Sequence, residues 1–148
     1  MILHLGVIDI PYSHTPPSKK RVRKSATVTT GDVAGFLENK YHVMRNFFEV
    51  KKELIAKDLE NGLKDSLEAL LTGAPPPTNA FASGASRIED RFKQFLSRSE
   101  IERIGYPGVP TQAALAGISS RFKKRRSGRR PSFIDTGLYQ SSFKAWVD

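Results

Sequence analysis

Cysteine is absent from all 148 residues, which excludes disulfides, thiolate metal sites and a cysteine nucleophile, and suits a chain made in a cytoplasm. Histidine is nearly absent as well. His4, His14 and His42 fall in a strand, a loop and a helix by pattern, with no metal-ligand spacing among them and no glutamate arranged as in a metalloprotease helix. Long apolar runs are missing too: Ile2 to Ile10 is interrupted by His4, Gly6 and Asp9 and lacks both a basic flank and a small-residue cleavage pattern. Neither a signal peptide nor a membrane partner is therefore expected. There is no phosphate-cradling loop ending in Gly-Lys-Ser or Gly-Lys-Thr, no Gly-x-Gly-x-x-Gly and no Gly-x-Ser-x-Gly elbow. The carboxylates Glu89, Asp90, Glu100 and Glu102 lie among Arg87, Arg91 and Arg103, a spacing that suits structural ion pairs better than a convergent acid site. The expectation is a protein that is not an enzyme and needs no cofactor.

What is abundant is positive charge. A formal net charge of +9 favours polyanionic partners. The excess is concentrated in two clusters, Lys19, Lys20, Arg21, Arg23 and Lys24, then Arg121, Lys123, Lys124, Arg125, Arg126, Arg129 and Arg130; outside them the chain is slightly acidic. Closely spaced guanidinium groups release counterions and bridge phosphates without reading sequence, so these residues are candidates for contact with a DNA backbone. A solvated loop, or one that meets acidic residues on a neighbouring subunit, is the equal alternative. Only Phe122 and Phe133 flank the second cluster as aromatics, too few for a base-stacking platform.

The length suits one domain, residues 1–148, of α+β class. Residues 1–12 read as a strand ended by Pro11, and 13–28 as a basic arm or loop. Thr29 offers an N-cap with Asp32 in the first turn, opening a long helix over 30–72. Its apolar positions Val33, Phe36, Leu37, Tyr41, Met44, Phe47, Phe48, Ile55, Leu59, Leu63, Leu67, Leu70 and Leu71 recur at three and four residues. Unbroken, it spans about 60 Å at ~1.5 Å per residue, more than a small domain covers by itself. Either it breaks near Glu49 to Lys52, or its far half packs on another copy; the second is favoured. Gly73 to Pro77 ends it, and 73–84 reads as a linker. Short helices follow over 85–120, capped by Ser86 and by Thr111, then a basic loop over 121–131. Over 132–148 a turn at Asp135 to Gly137 leads into a C-terminal strand with Phe143, Ala145 and Val147 on one face and Lys144 and Trp146 on the other. No internal repeat is present. The small sheet should draw strands from both chain ends. Phe47, Phe48 and Trp146 are candidate oligomer contacts because large aromatics dominate interfaces, with core packing the alternative for the phenylalanines.

The segment Phe133-Ile134-Asp135-Thr136-Gly137-Leu138-Tyr139-x-x-Ser142 resembles the Asp-Thr-Gly-x-Leu-x-x-Ser signature near the C-terminal ends of neck, head-to-tail joining and tail-completion or tail-terminator proteins of long-tailed bacteriophages. The stretch from Gly108-Val109-Pro110-Thr111 through Arg121-Phe122-Lys123 into that signature is similar to virion proteins of this size. The likeness covers about the last quarter of the chain. It implies a small sheet packed on helices, copies assembled as a ring around the DNA passage, and other neck and tail proteins as partners. It also implies non-specific contact with genomic DNA, and a place in the virion after assembly in the bacterial host cytoplasm. Asp135, Thr136, Gly137, Leu138 and Ser142 carry the motif: Asp135 can close an Asx-type turn, Gly137 can take positive φ, and Leu138 can anchor the turn to the core. The competing reading is a small basic accessory nucleic-acid-binding protein whose charge clusters are its working surface.

Overall fold

A computed structural model describes residues 1–12, 28–75, 77–118 and 128–148. The arm residues Lys19, Lys20, Arg21, Arg23 and Lys24, the loop residues Arg121, Lys123, Lys124, Arg125 and Arg126, and His14 lie outside that description.

The branched residues at the start form β1 (Leu3–Val7), which pairs antiparallel with β2 (Phe143–Val147), Leu5 opposite Ala145 and Val7 opposite Phe143. The ladder continues past both strands, through Ile2 with Asp148 and from the Ile8 amide to the Ser142 carbonyl. Two strands are marginal alone and need a packed face. Helix α3 (Ala82–Ser97) supplies it, lying against β2 and against α2 (Val43–Leu71). At the centre, the Phe92 and Phe143 rings stack with centroids 3.9 Å apart, and Phe47 meets Phe92 edge-on at 5.2 Å. Ile88, Phe95, Leu96 and Ile101 complete this core. The class is α+β, with the sheet drawn from both chain ends.

Helix α1 (Thr30–Tyr41) begins where its capping residues lie: Thr29 Oγ1 accepts from the Asp32 amide while the Asp32 carboxylate accepts from the Thr29 amide. Thr30, fully buried, pins this end to the chain leaving β1, its hydroxyl donating to the Ile8 carbonyl at 2.6 Å and accepting from the Ile10 amide at 2.8 Å. Asp9 accepts from the Gly31 amide, and hydrogen bonds from Thr29 and Gly31 hold its carboxyl below the ordinary range.

Contrary to the expected unbroken helix over 30–72, the chain breaks at His42, whose φ of 50° and ψ of 46° are left-handed. The break is capped from behind. Glu38, on α1, turns its carboxylate onto the Met44 and Arg45 amides at 2.8 and 3.2 Å, satisfying donors that the new helix leaves open. Residues Glu49 to Lys52, where the apolar repeat lapses, stay helical within α2.

α2 and α3 cross on small residues. A Cβ on Gly84 would lie 2.5 Å from the Asp58 carbonyl oxygen, and one on Gly62 would lie 2.8 Å from the Gly84 nitrogen. Ser66 donates across the crossing to the Ala80 carbonyl at 2.8 Å, and buried Asp58 accepts from Arg91 Nε and Nη2. That ion pair raises the guanidinium above its ordinary value, its hydrogen bonding to Asp58 outweighing burial. The leucines of the far half of α2, expected to pack on another copy of the chain, are not used in the crossing with α3. Leu63, Leu67, Leu70 and Leu71 are exposed along one flank, with Leu71 87% accessible.

Further on, α3 starts at Ala82, four residues before the expected cap Ser86, and shortens the linker. α4 (Glu100–Arg103) and α5 (Gln112–Leu115) follow, the latter capped by Thr111 as expected. The segment after the turn at Asp135 to Gly137 holds a short helix, α6 (Leu138–Ser142), before β2. The expected terminal strand is present with the expected faces: Phe143 and Ala145 are buried and Trp146 is exposed.

Candidate functional site

The turn at Asp135 to Gly137 leads directly into α6. Gly137, at φ 79°, occupies the left-handed conformation that glycine favours, directly before α6. The Thr136 hydroxyl accepts from the Leu138 amide at 3.3 Å, and Ser142, buried, donates to the Tyr139 carbonyl at 2.9 Å, closing α6 upon itself. Leu138 does not anchor the turn as expected; it is half-buried and lies outside the core cluster. The anchor is Tyr139, 4% accessible and edge-on to Phe92 at 5.9 Å. Counting the signature from Asp135 to Ser142 puts Tyr139, not Leu138, at its leucine position, so the buried residue and the motif position coincide.

The turn forms one wall of an open cleft of about 290 Å³ against α1, lined by Phe36, Leu37, Tyr41, Arg130, Phe133 and Tyr139 among others. Tyr41 and Phe133 pack with centroids 5.0 Å apart, and the Lys40 ammonium stands over the Phe36 and Tyr41 rings. Two buried polar atoms of lining residues, the Tyr139 hydroxyl and Arg130 Nε, have no hydrogen-bond partner among the described residues. Burial pushes the Tyr139 phenol far above its ordinary value, and the field of Glu38 adds to this, so the group is a neutral hydroxyl at every physiological pH.

Of the twelve basic positions, only Arg129 and Arg130 fall within the described residues, and both are engaged within the fold. Arg129 pairs with Glu102 at 2.5 Å; Arg130 donates to the Ile134 and Ile118 carbonyls and stands 3.9 Å from Asp135. The Arg129 side chain nevertheless stays 59% accessible, while that of Arg130 is 22% accessible. Glu102 is the hub of this region. Burial opposes its charge, but hydrogen bonds from the Ser132 hydroxyl, Arg129 and the Ser132 amide prevail and keep its carboxyl below the ordinary value. Glu89 and Glu100 also pair across elements, with Lys144 at 2.8 Å and with Lys51, while Asp90 pairs with Lys93 on its own helix. Arg87 and Arg91, expected to serve neighbouring acids on their own helix, reach instead to Asp65 and Asp58 on α2.

The three aromatic interface candidates separate. Phe47 is fully buried among Phe92, Phe95 and Phe143, which removes it from any interface. Phe48 is 38% accessible and lines a shallow groove of about 600 Å³ with Leu3, Leu5, Met44, Arg45 and Glu49. Trp146 is 45% accessible and stacks on His4, whose Nε2 is 2.9 Å from the Asp148 carboxylate. The exposed leucines of α2 lie in the half of the helix expected to pack on another copy; the face that makes the crossing instead carries Gly62 and Ser66, against Gly84 of α3. Tyr139 was missed because Leu138 beside it is the more apolar residue.

Among the described residues, no group of three histidine or carboxylate side chains is placed to hold a metal ion, and no helix is long and apolar enough to cross a membrane. No family model, curated protein or solved structure matches the chain.

Proposed function

We propose that this chain is a structural subunit of a long-tailed bacteriophage virion at the head-to-tail junction, in the neck or as a tail-completion or tail-terminator protein, assembling head-to-tail as a ring around the DNA passage. The observation that carries the assembly half is the pair of separate apolar surfaces at opposite ends of α2. One is the groove around Phe48; the other is the flank of Leu63, Leu67 and Leu70, each between 39% and 54% accessible. Phe48 and Leu67 are 19 residues apart on one helix, about 28 Å at ~1.5 Å per residue, so a single partner residue cannot cover both. A ring needs two different, mutually complementary patches on every subunit, whereas an isologous dimer needs only one. The energy of assembly comes from burying those side chains, at about 25 cal/mol per Å² of apolar surface. The bacteriophage half is supported by the resemblance of Asp135-Thr136-Gly137 and Ser142 to the signature, from which the chain departs at the leucine position, occupied by the buried Tyr139.

The accessory nucleic-acid binder is supported by the net charge of +9. Light scattering over a concentration series at two salt concentrations, with and without duplex DNA, separates the two readings. The ring subunit gives discrete high-order species whose mass is insensitive to DNA. The accessory binder stays small and binds DNA with a steep negative salt slope.

A further inference from the structure

The two-stranded sheet leaves one edge unused. In an antiparallel ladder, residues that exchange main-chain hydrogen bonds with the partner strand alternate with residues that point theirs away. Ile2 exchanges both bonds with Asp148, and the Ile8 amide donates to the Ser142 carbonyl, so Ile2, His4, Gly6 and Ile8 face β2. Leu3, Leu5 and Val7 therefore turn their amides and carbonyls outward, where no hydrogen bond from another described residue engages them. The opposite edge of the sheet is partly taken: the Ala145 amide, which points away from β1, donates to the Glu89 carboxylate of α3 at 3.4 Å.

Beside the open edge lies the shallow groove, with Leu3 and Leu5 as one wall and Met44, Arg45, Phe48 and Glu49 of α2 as the other. Outward amides and carbonyls repeating at strand spacing are matched by extended main chain, because a helix consumes its own. On an added strand, residues directly opposite Leu3, Leu5 and Val7 turn their side chains to the same face as those three, the face that packs on the core and borders Phe48. The occupant is thus extended, with apolar side chains at alternate positions. Arg45 and Glu49 bring one charge of each sign to the rim, so the segment need carry no net charge. A second copy's β1 does not meet these requirements. It brings its own α2 alongside its open edge, and paired strands lie about 4.8 Å apart whereas packed helices need about 8–10 Å between axes.

We propose that the open edge of β1 takes up an extended segment of a partner protein as a third strand, main chain against Leu3, Leu5 and Val7, alternate apolar side chains in the groove against Met44 and Phe48. The site stands whether or not the chain forms rings. A strand seated there covers Phe48 and so keeps a neighbour's leucine flank out of the same groove.

The test uses the full chain carrying Leu67→Asp, so that no neighbouring leucine flank fills the groove, and the neutral peptide acetyl-Thr-Val-Thr-Val-Thr-Val-Thr-amide. Amide hydrogen exchange followed by NMR reads the edge directly. In the free chain the Leu3, Leu5 and Val7 amides should exchange at least about tenfold faster than those of His4 and Gly6, and saturating peptide should remove that difference. Methylating the valine nitrogens of the peptide, which face β1 when the valines fill the groove, should abolish binding; methylating the inner threonine nitrogens, which face away, should not. Adding Phe48→Ser to the protein should weaken binding by about tenfold, the worth of the buried ring surface. Equal protection of all five amides in the free chain would show the edge already paired and overturn the proposal. No effect of the peptide, or equal binding by the two methylated peptides, overturns it as well. Unchanged affinity with Phe48→Ser overturns the groove assignment. Protection of Leu3, Leu5 and Val7 that rises with protein concentration in the absence of peptide would give the edge to a second copy instead.

Discussion

Replacing Gly84 by alanine sets two effects of opposite sign against each other at the α2–α3 crossing. Alanine is the better helix former by about 1 kcal/mol in a helix interior, and at Gly84, in the first turn of α3, the gain would be at most that if space allowed. Space does not allow it: the new methyl would sit 2.5 Å from the Asp58 carbonyl oxygen, 3.0 Å from Leu59 Cα and 3.1 Å from Asp58 C. All three are backbone atoms of α2, so no rotamer change relieves the overlap and the helices must separate by nearly 1 Å, against ordinary carbon contacts of about 3.5–4.0 Å. Separation stretches the Asp58–Arg91 pair and the Ser66 hydrogen bond to Ala80, and loosens Ile55 and Ile88, both buried. Overpacking of this kind costs about 1–3 kcal/mol and the lost hydrogen bonds about 1 kcal/mol more, so the net after the helix gain is a loss of about 2 kcal/mol. For a chain of this size that lowers the melting temperature by about 6–8 °C. Gly35, in α1, is the control: an added Cβ meets nothing within 4 Å, so Gly35→Ala should stabilise by about 0.5–1 kcal/mol. Thermal unfolding followed by far-UV circular dichroism measures both. A Gly84→Ala variant as stable as wild type, or a destabilised Gly35→Ala, would refute the reasoning about this crossing.

Two further substitutions separate core from surface. Phe47→Ala should cost about 3–5 kcal/mol in urea unfolding, and Phe48→Ala about 1 kcal/mol or less, because only the first empties a closed aromatic cluster. The Glu102 carboxyl is depressed in the folded state, so the stability it contributes is complete above its ordinary value of 4.5 and is lost as pH falls through the lower folded value. Glu102→Gln should therefore lower stability at pH 7 by about 1–2 kcal/mol and flatten the loss between neutral pH and pH 3, read from urea midpoints across that range; an unchanged pH profile would exclude Glu102 as the acid-sensitive hub.

Elements with a local cause were legible in the sequence. The Thr29–Asp32 capping box, the Thr111 cap, the stop at Gly73 (φ 74°) and the alternation of β2 each depend on residues within a few positions of one another. The break at His42 was not legible, because it depends on Glu38 reaching forward to two amides beyond the break, and the apolar spacing runs through it undisturbed. Which face of α2 meets α3 was not legible for a related reason. Period alone says that a face is apolar and not what covers it, and here the crossing was taken by Asp58, Gly62 and Ser66, whose small volumes let α3 come closer than leucines would. At the candidate site, the turn geometry at Gly137 was legible, while the burial of Tyr139 and the inward engagement of Arg129 and Arg130 required the tertiary placement of Glu102, Ile118 and Ile134.

The head-to-tail arrangement makes a demand that no symmetric dimer makes. Phe48→Asp removes the groove and leaves the leucine flank; Leu67→Asp removes the flank and leaves the groove. Sedimentation velocity on each variant alone should give monomers, circular dichroism should show both folded, and an equimolar mixture should give a one-to-one dimer that grows no further, while the wild type forms closed high-order species. Wild type that stays monomeric at every concentration, or a mixture of folded variants that never associates, would contradict the assembly of this chain through opposite ends of α2.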